Sequence, residues 1–303
     1  MLYTTVTPAQ KRERFRELLA APEIAQFPGA FTPLSTKLIQ EQGFEGVYIS
    51  GGVLANELGL PDIGLTTLTE VATRAGQIAR STDLPCLVDA DTGFGEPMNV
   101  ARTVQELEDA GLAGCHIEDQ FNPKRCGHLD GKNVVDTATA TQRIRAAVAA
   151  RRDPNFVVMA RTDIRGVDGF DAAVERAQAL AEAGADVIFP EAMADLSEFE
   201  RMAAALDVPI LANMTEFGKS ELFTRQQLQD AGVSMIIYPV SLERQAMGAI
   251  ERLLTTIRED GTQQTQVENM LTRKRLYELV DYTGYNQFDT GVFNFEVPGT
   301  PNS

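Results

Sequence analysis

Short apolar runs recur along the chain, each stopping at a polar or charged residue. They are Phe27–Phe31, Gly46–Ser50, Pro85–Asp89, Gly114–Glu118, Phe156–Arg161, Asp186–Glu191, Pro209–Asn213 and Ser234–Tyr238. Runs of this length read as buried strands. Between them lie TLTEVATRAGQIARS, NVARTVQELEDAG, TATQRIRAAVAAR, GFDAAVERAQALAEAG and LSEFERMAAAL, with apolar residues at three- and four-residue spacing. These predict amphipathic helices. Gly43, Gly111, Gly184 and Gly232 stand where left-handed helix C-caps are expected. Such alternation over about 250 residues has the size and rhythm of a (β/α)8 TIM barrel. A doubly wound sheet usually carries a Gly-rich phosphate loop after its first strand. The first run here ends PGAFTP, so the α/β barrel is the expected fold.

The pattern overruns the barrel at both ends. Thr7-Pro8 supplies an N-cap and a proline for the first helical position, opening the helix AQKRERFRELLA. The chain therefore divides into a helical arm (1–25), a barrel (26–258) and a C-terminal extension (259–303), all one domain. A long helix is predicted from Leu242 to about Arg258, another around Gln263–Val280, and then an irregular tail ending PGTPNS. Extra helices of this kind suit either oligomer contacts or packing on the chain's own barrel.

In a parallel barrel the polar run ends lie at the C-terminal face, where active sites sit. Side chains two apart share a strand face. Tyr48 with Ser50, Asp89 with Asp91, His116 with Glu118, Arg161 with Asp163, and Asn213 with Thr215 would each point together. Asp89, Asp91 and Glu118 come from neighbouring strands, and three converging carboxylates repel one another unless a cation intervenes. All-oxygen ligation points to Mg2+, with Mn2+ as the alternative. Pairing of Glu118 and Asp119 with a Lys or Arg of the next loop would also neutralise them.

That loop, QFNPKRCGHLDGK, sets Lys124, Arg125 and His128 around Cys126. Neighbouring cations lower a thiol's pKa and suit it to proton exchange near neutral pH. A basic surface loop with an incidental cysteine is the alternative. Zinc is excluded, because adjacent Cys115 and His116 face opposite sides of a strand and no paired Cys-x-x-Cys is present. Cys86 and Cys115 read as small core residues, and His116 as a hydrogen-bonded interior residue.

The 303 residues carry 27 basic and 43 acidic side chains, a net charge of −16 that argues against nucleic acid as a partner. No apolar run approaches the roughly 20 residues of a membrane span, and the N-terminus is charged where an export signal is apolar. Three cysteines make a poor disulfide framework. The expected setting is the cytoplasm, without a membrane partner.

YISGG (48–52), LPDIG (60–64), VDADTGFG (88–95), HIEDQ (116–120), KRCGH (124–128), MARTD (159–163), PEA (190–192) and LANMTEFG (211–218) together resemble the isocitrate lyase/phosphoenolpyruvate mutase superfamily. The resemblance runs unbroken from about residue 25 to about residue 285. It implies a (β/α)8 barrel whose last helix is swapped between subunits of a homotetramer. KRCGH implies the lyase branch, since mutase, hydrolase and decarboxylase relatives lack this cysteine. Isocitrate-cleaving members are longer and place a tryptophan beside C2 of the substrate. This chain has no tryptophan, and Phe189, Ile237 and Pro239 stand at the matching positions. A wall so composed has room for an extra methyl group. Two departures are noted: PGAFTP lacks the Asn or Asp common after this Gly-Ala, and GFGEPMN is a residue shorter than in some relatives.

The implied reaction is cleavage of a tricarboxylate, 2-methylisocitrate, to pyruvate and succinate, as in propionate catabolism through the methylcitrate cycle. Isocitrate or another 2-hydroxy-3-carboxy acid is the alternative substrate. By resemblance Asp89 and Asp91 hold Mg2+, with Glu118 partly through water. Arg161, Arg244, Arg273, Asn213 and Thr215 clamp the substrate. Ser50, Gly51 and Gly52 offer hydroxyl and N–H groups to its pyruvyl end, and Glu191 orients an arginine or a metal-bound water. Tyr48 is the expected base. Cys126, beside Gly127 in the substrate-binding loop, is the expected acid that protonates the succinate carbanion. A non-catalytic dicarboxylate-binding barrel would bind such ligands without forming product.

Overall fold

The structure is a computed structural model that describes residues 4–125, 131–218 and 220–293. Helix α1 (Pro8–Ala20) leads into strand β1 (Ala25–Pro28), α2 (Pro33–Glu41), β2 (Val47–Ile49), α3 (Gly51–Glu57) and α4 (Leu68–Ala79). Strand β3 (Cys86–Asp89), α5 (Pro97–Asp109), β4 (Gly114–Glu118), α6 (Thr137–Ala150) and β5 (Val157–Thr162) follow. Next come α7 (Arg165–Asp168), α8 (Phe170–Glu182), β6 (Val187–Pro190), α9 (Leu196–Ala204), β7 (Leu211–Asn213), α10 (Arg225–Asp230) and β8 (Met235–Tyr238). Beyond them stand α11 (Ser241–Asp260), a 3-10 turn (Gln264–Asn269), α12 (Arg273–Leu279) and α13 (Tyr282–Phe293).

Every strand pair is parallel, in the orders β1–β8–β7 and β2–β3–β4–β5–β6. Parallel bridges from Gly29 to Tyr48 and from Ile188 to Ile210 join the two sets into a closed (β/α)8 barrel. Alternation sorts each strand between two cores. Phe27, Tyr48, Leu87, Met159, Phe189, Leu211 and Ile237 fill the interior. Their neighbours Val47, Ile49, Val88, Cys115, Val158, Ile188 and Ile236 pack against the helices. Gly43, Gly111, Gly184 and Gly232 all adopt positive φ, as expected of C-caps that let the chain turn back into the next strand.

The N-terminal arm packs on its own barrel. Thr7 caps α1 by accepting from the Gln10 N–H, with Pro8 at the first helical position. Phe15 and Leu18 join the interior core, and the Phe15 ring lies 5.1 Å from Phe27. The buried Lys11 ammonium donates to the carbonyls of Ala79 and Thr82 at the end of α4, where the helix dipole favours a cation.

The C-terminal extension differs from expectation. The helix predicted around Gln263–Val280 is broken, because Thr272 accepts from the Arg275 N–H and starts α12 afresh. Asp281 then turns through positive φ, and α13 occupies part of the expected irregular tail. Helix α11 has no buried residue along its length.

Phe15→Ala is expected to destabilise the fold by about 3–5 kcal/mol, the usual cost of emptying a buried phenylalanine site. Urea unfolding checks this. A loss below about 1 kcal/mol would mean that α1 does not close the barrel.

Candidate active site

The site grows from a strained turn at the end of β3. Asp91 has a φ of 47°, unusual for a residue with a side chain. Its N–H donates to Asp89 Oδ1 (2.9 Å), and its carbonyl accepts from the Glu118 N–H (2.8 Å). The turn sets the two carboxylates side by side beneath α3. A Cβ added to Gly51 would lie 3.0 Å from Asp89 Oδ2 and 3.2 Å from Asp91 Oδ1, so glycine permits the approach. The Gly51 N–H donates to Asp89 Oδ2 (3.3 Å), and the Ser50 hydroxyl caps α3 by accepting from Val53 (3.5 Å). These two groups, expected to face a ligand, are thus engaged within the protein. Gly52 lies beside Asp62.

Lys124 closes this cluster. Its buried ammonium lies 2.8 Å from Asp91 Oδ1 and also pairs with Asp62. Burial alone would lower its pKa, but Asp91, Glu118, Asp89 and Asp62 raise it. Burial, against the attraction of Lys124 and with the repulsion of Asp89, pushes Asp91 up to about 6. The Lys124 charge, expected to tune the Cys126 thiol, pairs with these acids among the described residues. Cys126, Gly127 and His128 lie outside the described residues.

Arg161, at the end of β5, gathers a second set of acids. Its Nη1 lies 3.3 Å from Glu118 Oε2, its Nε 3.0 Å from Asp163 Oδ2 and its Nη2 3.4 Å from Glu191 Oε2. Its guanidinium carbon sits 5.3 Å from the centre of the Phe189 ring. Lys132 Nζ also reaches Asp163 Oδ1 (2.9 Å). Burial pushes the Glu118 carboxyl well above the usual range despite Arg161 and Lys124. Glu191 accepts from the Ala192 N–H (2.9 Å) and lies 3.4 Å from Asn213 Nδ2. Arg244, at the start of α11, donates to Thr215 Oγ1 (3.3 Å) and to the Glu216 carbonyl (2.6 Å).

Below these groups lies a buried column. The Tyr48 hydroxyl is 2.8 Å from His116 Nε2, and His116 Nδ1 is 3.7 Å from Asp89 Oδ1. Burial pushes His116 down to about 4, so its imidazole is neutral. Burial, then the Asp89 charge, raises the Tyr48 phenol well above its ordinary value. The Tyr48 hydroxyl, paired with this neutral imidazole, lies beneath Asp89. Phe189 and Ile237 belong to the interior core, and Pro239 is buried beside Gly29.

Arg273 is not brought to the site by this chain. It is exposed on α12, whose Arg275 pairs with Glu41 at the far end of α2. The expected three-carboxylate cage is also incomplete: among the described residues, no three Asp, Glu, His or Cys side chains close on one ion position. The physical reason is competition, since Arg161 draws Glu118 aside and Lys124 engages Asp91. The donors nevertheless suit a hard cation. Glu118 Oε1 is buried without a hydrogen bond, and Mg2+ needs few carboxylates beside its waters.

Residues 15–258 match the family model described as phosphoenolpyruvate phosphomutase. The chain belongs to this family. It is 61% identical over 294 residues to a protein of Corynebacterium glutamicum named probable 2-methylisocitrate lyase 2, covering 97% of this chain and 96% of the relative. It is 47% identical to 2-methylisocitrate lyase of Escherichia coli, covering 90% and 93%. A crystal structure of 2,3-dimethylmalate lyase, a PEP mutase/isocitrate lyase superfamily member, superposes with a TM-score of 0.89 at 32% identity, covering 99% of this chain and all of that one. Phosphonopyruvate hydrolase in complex with oxalate and Mg++ superposes with a TM-score of 0.84 at 27% identity, covering 94% and 99%.

No spacing or periodicity in the sequence marks Asp62, although it sits in the family-like LPDIG segment. An acid in a turn between short helices gives no periodic signal; its importance emerges only when Lys124 folds onto it.

The neutral state of His116 has a pH consequence. Its folded pKa lies below the unfolded value of about 6.5. The stability contributed by the buried neutral ring is full above about pH 6.5 and is lost as pH falls towards about 4. Nuclear magnetic resonance should show no titration of the His116 ring between pH 5 and 8. A midpoint near 6.5 assigned to His116 would contradict the buried column.

Proposed function

We propose that this chain is a carbon–carbon lyase that cleaves 2-methylisocitrate to pyruvate and succinate. The observation that carries this reading is identity of 61%, over nearly the whole of both chains, to a relative named probable 2-methylisocitrate lyase 2. The array of acids and arginines at the strand ends supports it, because the reaction moves negative charge across a polyanionic substrate.

Asp89 and Asp91 would hold a divalent ion, Mg2+ with Mn2+ as the alternative, and Glu118 would reach it through water. When bound, such an ion lowers the pKa of the substrate's C2 hydroxyl and neutralises charge on the adjacent carboxylate. Cleavage of the C2–C3 bond turns C2 into the ketone carbon of pyruvate and leaves the electron pair on C3. That carbanion is delocalised into its own carboxylate, and oriented cations stabilise the form. Arg161 and Arg244, with Asn213, Thr215 and Glu191, surround the space in which this charge develops. Ser50, Gly51 and Gly52 form its rim beside Asp89. Cys126 donates the proton that completes succinate, and Gly127 contributes to substrate binding. Tyr48, hydrogen-bonded to His116 beneath Asp89, is the proposed base for the hydroxyl proton. Phe189, Ile237 and Pro239 form the apolar side that accommodates the methyl group. One methyl contributes only about 1–3 kcal/mol of discrimination, so slow isocitrate cleavage accompanies the main reaction.

The working unit is a homotetramer in which α11 is exchanged between subunits. Helix α11 exposes Met247, Ile250, Leu254 and Ile257, and clefts of about 970 and 850 Å³ flank it. Arg273 reaches a site only within that assembly. The reaction belongs to propionate catabolism in the cytoplasm; no helix among the described residues is long and apolar enough to cross a membrane.

Purified protein supplied with 2-methylisocitrate and Mg2+ should release pyruvate, and excess chelator should abolish the release. Cys126→Ser should retain the fold while losing about 10²–10⁴-fold in kcat, the usual contribution of a positioned acid. Pyruvate release that withstands chelation would contradict the metal's part, and an unchanged kcat would remove Cys126 from the chemistry.

A further inference from the structure

Behind the substrate-facing residues lies a second charged group that the proposed chemistry does not use. Asp119 follows Glu118 at the end of β4 and therefore faces the opposite way, towards the helices. It is buried, and so is Arg176 on α8. Asp119 Oδ2 accepts from Arg176 Nη1 (2.6 Å) and from the Thr162 hydroxyl (2.7 Å). Asp119 Oδ1 accepts from the Asp163 N–H (2.9 Å). Arg176 Nη2 donates to the Val135 carbonyl (2.9 Å), while the Val135 N–H donates to the Asp119 carbonyl (2.8 Å). One ion pair thus fastens the end of β4, the segment entering α6 and the last turn of β5.

The turn it fastens is the one that aims Arg161. Asp163 takes its backbone direction from Asp119, and its carboxylate accepts from Arg161 Nε (3.0 Å) and Nη2 (3.2 Å). We propose that Asp119 and Arg176 are positioning residues that hold Asp163, and through it the Arg161 guanidinium, in the orientation that receives a substrate carboxylate. The proposal rests on the lyase reading. A carboxylate buried with a single guanidinium depends on it strongly, because removing one partner leaves the other charged and unpaired. Bidentate recognition of a carboxylate by arginine is sensitive to small rotations.

The test compares succinate binding by calorimetry, KM and kcat for 2-methylisocitrate, and thermal unfolding in wild type, Arg176→Met, Arg176→Lys and Thr162→Val. Arg176→Met should weaken succinate and raise KM about tenfold, the scale of one charge-assisted hydrogen bond, with binding stoichiometry unchanged. Arg176→Lys should recover most of that loss by restoring the charge on Asp119. Thr162→Val keeps the side-chain shape and removes the bond to Asp119 together with a long one from the Ile164 N–H (3.4 Å), so it should fold and shift KM in the same direction by a smaller factor. A purely structural pair would lower the unfolding temperature and leave Kd and KM of the folded protein as they are; that result in both Arg176→Met and Thr162→Val overturns the proposal. If Arg176→Met does not fold, Thr162→Val and Arg176→Lys decide it by the same readings. Wild type that neither binds succinate nor releases pyruvate would overturn the lyase reading itself, a failure visible before any variant is compared.

Discussion

A guanidinium buried at the end of β5 is the constraint around which the catalytic face is arranged. Arg161 has left water, and Asp163 from its own segment meets it together with Glu118 and Glu191 from the two neighbouring strand ends. An unpaired charge at such depth would cost several kcal/mol, so the acids are required by the arginine and the arginine by the acids. Asp89 and Asp91 stand next to this array with Lys124 as their protein cation. Glu118 Oε1 stays buried without a hydrogen bond, and this concentration of carboxylates suits a divalent ion.

The barrel makes that concentration of charge tolerable. Parallel strands deliver their last side chains to one face, while the interior below is filled by Phe27, Leu87, Met159 and Ile237 and closed at the other end by Phe15. The charged side chains that the strands point inward are thereby gathered at one end. The Tyr48–His116 column is where that layer reaches deepest, and burial keeps both rings uncharged there. Strain at Asp91 and Ala192, both at positive φ, is held by hydrogen bonds to Asp89 and Glu191.

Much of this was legible in the residues. The strand positions follow from the apolar runs, and two-residue alternation placed Asp89, Asp91, Glu118 and Arg161 at one end of their strands. What was not legible depends on tertiary pairing. The pairing of Lys124 with Asp62 and Asp91 is one case, because a flexible side chain goes to the strongest local field. Arg273 follows the resemblance in sequence, but its place relative to the site is set by how the C-terminal helices pack, which local periodicity does not encode. The break at Thr272 does carry a local signal, a capping residue within a pattern taken for one helix. Asp119 and Arg176 lie 57 positions apart, and only the folded barrel brings them together.

The central claim is that the β3 carboxylates seat a divalent cation, and Mn2+ binding followed by electron paramagnetic resonance addresses it without recourse to turnover. The wild-type chain should take up one ion per subunit. Asp91→Asn should weaken that binding by at least about tenfold, the loss that even an outer-shell partner brings. Equal affinity in the two proteins, or no uptake by either, would contradict the account.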